Sequence, residues 1–136
     1  MCSFRILTIN PGSTSTKIAL FEDEREIGSN TQRFTRAEVD VFPTIMDQEE
    51  FRLEAMEKVL RERNRKLEEI DAFVGRGGLL RPIEGGTYRV NDDMIADLVS
   101  EKYGAHACNL GAVLARRLAA EAGGKEAFIV DPVVVD

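Results

Sequence analysis

Residues 10–17 bring together a turn, several hydroxyl groups and a lysine, in the order Asn-Pro-Gly-Ser-Thr-Ser-Thr-Lys. Oriented backbone N–H groups, a positive charge and a glycine where the backbone must approach closely are the features of a phosphate-binding loop. The segment is neither a P-loop nor a G-x-G-x-x-G loop. An ordinary hairpin turn with solvated Ser and Thr side chains is the alternative, because these residue types dominate turns. The candidate phosphate ligands are Asn10, Gly12, Ser13, Thr14, Ser15 and Lys17.

Arg76 is a second candidate, because it closely follows a predicted buried strand and precedes two glycines. Glycines allow a tight exit from a sheet, so the guanidinium can project at the carboxyl end of the strand, where α/β folds place ligands. A planar and permanently charged fork suits a carboxylate or an acyl phosphate. The alternative is that Arg76 forms a structural ion pair.

His106 is the only histidine, and it precedes a predicted helix that starts near Asn109. The positive end of a helix dipole favours a neutral imidazole or an anionic neighbour, so the ring can donate a hydrogen bond to a carboxylate oxygen. Capping of the loop is the alternative for this histidine. Asn109 itself is interpreted as a helix cap rather than as a ligand.

Asp131 follows a predicted strand over residues 128–130 and precedes Pro132, which restricts the exit of the chain. A carboxylate at that place can accept a hydrogen bond from a substrate acid or help to hold Mg²⁺ through water. The alternative is a turn aspartate at the end of a strand. Asp131 is therefore a candidate both for the active site and for a metal site.

Short apolar runs and a helical recurrence of apolar residues predict the elements that must position these residues. Short β-prone runs on either side of the candidate loop indicate the two strands of a hairpin. Further along, a strand follows a helix with one apolar and one charged face, and this β-α-β order predicts a mixed or parallel sheet. The predicted strands are residues 4–9, 18–21, 26–34, 70–74, 88–90 and 128–130, and the predicted helices are residues 49–67 and 107–122.

Composition indicates one domain with a core of its own. The chain has 136 residues, of which 43% are apolar and 31% are charged, and its net charge is −6. A negative chain has no basic footprint for nucleic acid or for an anionic membrane, and no apolar run is long enough for a spanning helix. The first residues lead directly into a strand with no signal peptide, and Cys2 and Cys108 are too few for a disulfide framework. We therefore expect a cytoplasmic protein.

The Asn-x-Gly-Ser-x-Ser-x-Lys pattern of residues 10–17 resembles the first phosphate motif of the acetate and sugar kinase, heat-shock chaperone and actin superfamily. An Asn in the leading position is characteristic of its acyl kinase branch. Residues 74–88, 104–111 and 131–136 are similar to butyrate kinases rather than to acetate kinases. Four motifs in the expected order make this a specific resemblance to butyrate kinases, although the chains of that family are much longer.

This resemblance implies an α/β fold of the ribonuclease H-like, actin-like ATPase type, with a mixed five-stranded sheet and flanking helices. Residues 1–136 would form the N-terminal domain, and the C-terminal nucleotide-binding domain would be absent from this chain. The implied reaction is reversible phosphoryl transfer from ATP to butanoate or a similar short-chain carboxylate, giving ADP and an acyl phosphate. The full-length enzyme would be a homo-oligomer, and this part alone would be inactive.

The resemblance also implies roles for the candidate residues. Backbone amides of residues 12–15 would hold the β- and γ-phosphates, Lys17 would add positive charge, and Asn10 would anchor Mg²⁺ together with Asp131. Arg76 and His106 would orient the acyl carboxylate. Acetate kinases carry their substrate arginine a few positions earlier than Arg76, so that role is an expectation from chemistry and not from position. A kinase for another carboxylate, and a non-catalytic domain of the same fold that serves assembly or regulation, remain alternatives.

Overall fold

A computed structural model describes residues 3–76, 79–80, 86–102, 106–130 and 133–134. Short 3₁₀ turns precede or follow several of its α-helices. The strands are β1 (Arg5–Gly12), β2 (Ser15–Glu22), β3 (Arg25–Arg33), β4 (Ala72–Arg76), β5 (Leu79–Leu80), β6 (Thr87–Arg89), β7 (Glu126–Val130) and β8 (Val133–Val134). The α-helices are α1 (Arg36–Asp40), α2 (Glu49–Glu62), α3 (Asp92–Val99) and α4 (Leu110–Glu121).

Six of the strands form one mixed sheet in the order β3-β2-β1-β4-β7-β6, and β5 pairs with β8 in a separate two-stranded sheet. Strands β1, β2 and β3 are antiparallel, whereas β1, β4 and β7 run parallel to one another. The predicted α/β class and mixed sheet are therefore confirmed. The predicted count of five strands is wrong, because β6 pairs antiparallel with β7 and adds a sixth strand at the edge.

The core lies between one face of the sheet and the helices α2 and α4. Successive side chains of a strand point to opposite faces, so Leu7 and Ile9 enter the core while Thr8 and Asn10 face the other way. Leu7 and Ile9 are each 1% exposed. Their largest fully buried partners are Phe73 from the sheet, Leu53 and Met56 from α2, and Leu110, Leu114 and Leu118 from α4.

The ends of the helices differ from the predicted ends where the backbone conformation terminates the helix. Helix α2 ends at Glu62, short of the predicted residue 67, and Asn64 follows in the left-handed region with φ of 59°. Helix α4 ends before Gly123 and Gly124, both with positive φ, as the glycine pair predicts. Helix α3 was not predicted; the side chain of Asn91 caps it by accepting a hydrogen bond from the backbone N–H of Met94 at 2.8 Å. No helix within the described ranges is long and apolar enough to cross a membrane.

Two glycines let α4 approach β4 at backbone contact. A Cβ atom at Gly75 would overlap the carbonyl oxygen of Gly111, and a Cβ atom at Gly111 would overlap the carbonyl oxygen of Arg76. Neither position has space for a side chain, because the overlapping atoms belong to the backbone. This contact fixes the first turn of α4 against the carboxyl end of β4, and Arg76 lies at that end.

Candidate functional site

Three of the predicted site residues form a row across neighbouring strands. Asn10 on β1 is the register partner of Lys17 on β2. Gly75 pairs with Ile9, so Arg76, the next residue of β4, lies level with Asn10. Because register partners point to the same face of a sheet, Lys17, Asn10 and Arg76 all project from the face opposite the helices. Val130, the partner of Arg76 on β7, continues the row.

Asn10, Arg76 and Val130 of this row border an open cleft of about 380 Å³ at the carboxyl ends of the parallel strands. This is the edge at which open α/β sheets place their ligands. Asp131 comes directly after Val130 but lies outside the described residues, so its side chain is not placed relative to the cleft. The residues that line the cleft are Thr8, Ile9, Asn10, Val74, Arg76 and Val130.

The cleft carries positive charge although the chain as a whole has a net charge of −6. Neither Lys17 nor Arg76 has an ion-pair partner within the part of the chain that the structure describes. The structural ion pair considered as an alternative for Arg76 is therefore not found among those residues. Two cations in one row, with no ion-pair partner among the described residues, favour an anionic ligand at this edge of the sheet.

The hairpin between β1 and β2 turns its carbonyl groups toward the protein. Arg52 donates from Nη2 to the carbonyl oxygen of Ser13 at 3.1 Å and from Nη1 to that of Ser15 at 2.8 Å. The backbone N–H of Phe34 donates to the carbonyl oxygen of Thr14 at 2.8 Å. Three successive carbonyl oxygens of the loop are thus engaged from within the protein.

The amide groups of the loop consequently point the other way. All peptide bonds in the described ranges are trans, and the N–H of a trans peptide is directed opposite to its carbonyl. The N–H groups of Thr14 and Ser15 therefore face away from Arg52 and Phe34, respectively. A Cβ atom at Gly12 would lie 2.9 Å from the hydroxyl oxygen of Ser15, which would have to rotate away. A Thr14 N–H directed away from the buried guanidinium suits a phosphate oxygen.

Arg52 was not among the residues singled out from the sequence. Its side chain is 0% exposed, and Nε and Nη2 also donate to Oε1 of Gln48 at 3.0 Å and 2.9 Å. Nη1 donates in addition to the hydroxyl of Thr16 at 3.1 Å, and the guanidinium lies over the ring of Phe34 at 5.4 Å. Burial lowers the pKa of Arg52 to about 10. The signal available in the sequence was its position, because Arg52 lies within the apolar stripe that Leu53 and Met56 define on α2.

His106 lies in a different cleft from Arg76. Its Nδ1 accepts a hydrogen bond from the backbone N–H of Cys108 at 3.1 Å, so the ring caps the 3₁₀ turn that leads into α4. This contact supports the capping alternative, while Nε2 stays oriented to donate. His106 and Ser13 both line a second cleft of about 380 Å³. Arg76 does not line this second cleft.

Asn109 corrects another prediction. It occupies the N-cap position of α4, but its side chain makes no capping hydrogen bond there, and it is 1% exposed. The capping function at this helix start is carried instead by His106, three residues earlier in the chain. Asparagine is the better capping residue type, but the buried setting of Asn109 directs its side chain elsewhere.

Metal ligands are sparse in the described ranges. No group of three or more His, Cys, Asp and Glu side chains among those residues is arranged to hold a metal ion. Asn10 offers one amide oxygen beside the cleft, which is a type of ligand that Mg²⁺ accepts when phosphate oxygens and water complete its shell. The second predicted metal residue, Asp131, lies outside the described residues.

Comparison with known proteins confirms the resemblance to butyrate kinases. The chain is 55% identical, over 98% of its length, to butyrate kinase 2 of Clostridium acetobutylicum. It is 48% identical, again over 98% of its length, to probable butyrate kinases of Clostridium botulinum and Listeria monocytogenes. The chain spans 37% to 38% of the length of these relatives. No protein-family model matches it.

Solved structures confirm the actin-like fold. Acetate kinase from Porphyromonas gingivalis superposes with a TM-score of 0.54 at 16% sequence identity, over 93% of this chain and 37% of that one. Acetate kinase from Entamoeba histolytica gives a TM-score of 0.54 at 12% identity, over 93% of this chain and 34% of that one. At such identities the likeness concerns the fold alone.

Proposed function

We propose that this chain is the N-terminal domain of a butyrate kinase, which transfers a phosphoryl group reversibly between ATP and butanoate or a similar short-chain carboxylate. The observation that carries the proposal is the position of Arg76 in one cleft, level with Asn10 at the end of the strand that leads into the candidate loop. A phosphate-binding loop and a carboxylate-binding cation at adjacent strand ends suit transfer between these two groups. The 55% identity to a butyrate kinase supports the same reaction.

The proposed chemistry places few demands on the protein beyond positioning. The N–H groups of Thr14 and Ser15 and the ammonium of Lys17 bind phosphate oxygens of ATP, and Arg76 binds the carboxylate. A carboxylate oxygen attacks the γ-phosphorus, the bond from that phosphorus to the β,γ-bridging oxygen breaks, and ADP leaves with the electron pair. Holding the two reactants in line, with their charge neutralised, supplies most of the catalysis in such reactions.

The residues present fit the phosphates of ATP better than they fit a metal ion by themselves. Lys17 and Arg76, which have no ion-pair partner among the described residues, match phosphate oxygens, whereas Asn10 contributes a single metal ligand in those ranges. Mg²⁺ would neutralise charge on the phosphate oxygens, and Asn10 together with Asp131 would hold it. We propose further that the adenosine binds to a second domain outside this chain, and that the complete enzyme is cytoplasmic and homo-oligomeric.

A chain-length series tests the proposed reaction. The protein as its gene encodes it is incubated with Mg-ATP, hydroxylamine and one carboxylic acid at a time, from acetate to hexanoate and including branched acids. Acyl phosphate is trapped as the hydroxamate, and we expect kcat/KM to be highest for butanoate or a near neighbour. A higher value for acetate would identify the alternative carboxylate kinase, and no hydroxamate with any acid would refute the proposal.

Replacing His106 distinguishes capping from substrate binding. If the ring serves mainly as a cap, His106→Ala is expected to lower the free energy of unfolding by about 1 kcal/mol, and His106→Asn to restore it, because asparagine is a strong capping residue. Urea unfolding measures this effect, and the KM for the carboxylate is measured in parallel. A KM raised equally in both variants, with stability restored only by asparagine, would show that the ring also contacts the substrate.

A further inference from the structure

Arg52 is a buried cation with no anion beside it in the part of the chain that the structure describes. Its partners are one side-chain amide, one hydroxyl and two carbonyl oxygens, and none of the described residues supplies it with a carboxylate. Taking a charge out of water is costly, and neutral acceptors offset only part of the cost. The lowered pKa of Arg52 has the same cause, since burial disfavours its charged form. A missing negative charge is therefore a property of this site.

The bonds of Arg52 are concentrated on the hairpin loop between β1 and β2. The carbonyl oxygens of Ser13 and Ser15 are held at 3.1 Å and 2.8 Å, and the Thr16 hydroxyl at 3.1 Å, while Thr16 itself is 1% exposed. Each held carbonyl fixes one peptide dipole with its negative end toward Arg52 and its positive N–H end away from it. Thr16, which Arg52 contacts, lies on the core face of β2, and Lys17 lies on the cleft face. The guanidinium of Arg52 and the ammonium of Lys17 therefore lie on opposite faces of the hairpin.

We propose, resting on the proposed function for the identity of the ligand, that Arg52 is the positioning residue of the phosphate loop and that the phosphates of a bound nucleotide supply its missing counter-charge. Before the nucleotide binds, the guanidinium orients the loop and carries an uncompensated charge. When the nucleotide binds, negative charge arrives on the other side of the same peptide groups. Arg52 does not touch the nucleotide; it acts through the loop.

Gln48→Glu separates charge from geometry. Oε1 of Gln48 accepts two hydrogen bonds from Arg52, at 3.0 Å and 2.9 Å, and a glutamate can accept both while adding a negative charge. A carboxylate here also repels phosphate directly, because Gln48 lines a cleft together with Ser13, so the charge-preserving variant Arg52→Lys is measured beside Gln48→Glu. Because the proposal requires the positive charge, we expect the Kd for tripolyphosphate and for Mg-ATP to rise about tenfold, while the melting temperature stays at or above that of the wild type.

The measurement is isothermal titration of the protein as its gene encodes it, with tripolyphosphate and with Mg-ATP as separate probes. Arg61→Gln is the matched control, because it changes the net charge equally at an exposed position of α2, and we expect it to bind both probes like the wild type. Arg52→Lys is measured as the second variant, whether or not Gln48→Glu folds. A lysine keeps the charge but not the fork, so its Kd is expected to rise several-fold.

The outcomes separate this proposal from the proposed function. A Kd within twofold of the wild type in folded Gln48→Glu and folded Arg52→Lys would overturn the role of Arg52 while leaving acyl kinase activity intact. If the wild type binds tripolyphosphate and loses affinity in these variants, yet forms no acyl phosphate, the role of Arg52 stands and the proposed reaction fails. A wild type that binds neither probe would overturn both.

Discussion

Gly111→Ala is expected to destabilise the protein by about 3 kcal/mol, at the upper end of the range for overpacked sites. Intrinsic propensity favours the opposite result, because alanine stabilises a helix interior by about 1 kcal/mol relative to glycine. The steric effect decides, since a Cβ atom at Gly111 overlaps the carbonyl oxygen of Arg76, and a backbone atom cannot rotate away. Urea unfolding at one temperature measures the change.

A glycine without such a neighbour provides the control. A Cβ atom at Gly28 would meet only the guanidinium of Arg63, at the ordinary contact distance of 3.6 Å. Gly28→Ala is therefore expected to change the free energy of unfolding by less than about 0.5 kcal/mol. If Gly111→Ala proved as stable as the wild type, the close contact between α4 and β4 would be wrong.

The hairpin that holds the candidate loop could be predicted because its signals are local. Alternating apolar residues and a Pro-Gly turn occur within one short segment, and the structure has β1 and β2 as antiparallel partners with only Ser13 and Thr14 between them. The strand that carries Arg76 was also predicted from a local apolar run, although it extends to Arg76 itself. Patterns of this kind determine element type more reliably than element ends.

What the sequence did not reveal depends on contacts between distant segments. Arg52 looks like one more charge on a charged helix until α2 is laid against the loop, more than thirty positions earlier in the chain. The contact between Gly75 and Gly111 likewise arises only when α4 packs on β4. No local pattern encodes these approaches, and an arginine on an apolar stripe was the one available indication.

The two faces of the hairpin have different tasks in the proposed enzyme. On the core face Arg52 holds the carbonyl groups of Ser13 and Ser15, and the backbone N–H of Phe34 holds that of Thr14. The cleft face carries Lys17, Asn10 and, one strand further, Arg76. A rigid arrangement of donors costs no reorganisation when charge shifts during transfer, which is the main electrostatic advantage of an enzyme over water.

Arg76→Ala is expected to lower kcat/KM for the carboxylate by about 10²–10³-fold, the loss that follows removal of one preorganised donor from an active site. The guanidinium has no ion-pair partner in the described ranges, so its removal should leave no buried charge uncompensated and should change stability little. Arg76→Lys keeps the charge but not the bidentate fork, and we expect it to recover only part of the loss. Hydroxamate formation at varied carboxylate concentration measures the effect.

The affinity for nucleotide makes this prediction specific to the carboxylate. Because the loop and Lys17 are assigned to the phosphates, Arg76→Ala should bind Mg-ATP with a Kd close to that of the wild type. Arg89→Ala is the matched control, because Arg89 is exposed on the edge strand β6 and pairs with Glu126 at 3.1 Å. Its loss should change neither the KM for the carboxylate nor the Kd for Mg-ATP. If the KM for the carboxylate and kcat stay within twofold of the wild type in both Arg76 variants, Arg76 does not belong to the substrate site. If both variants also lose Mg-ATP binding in parallel with carboxylate turnover, Arg76 binds the phosphates instead.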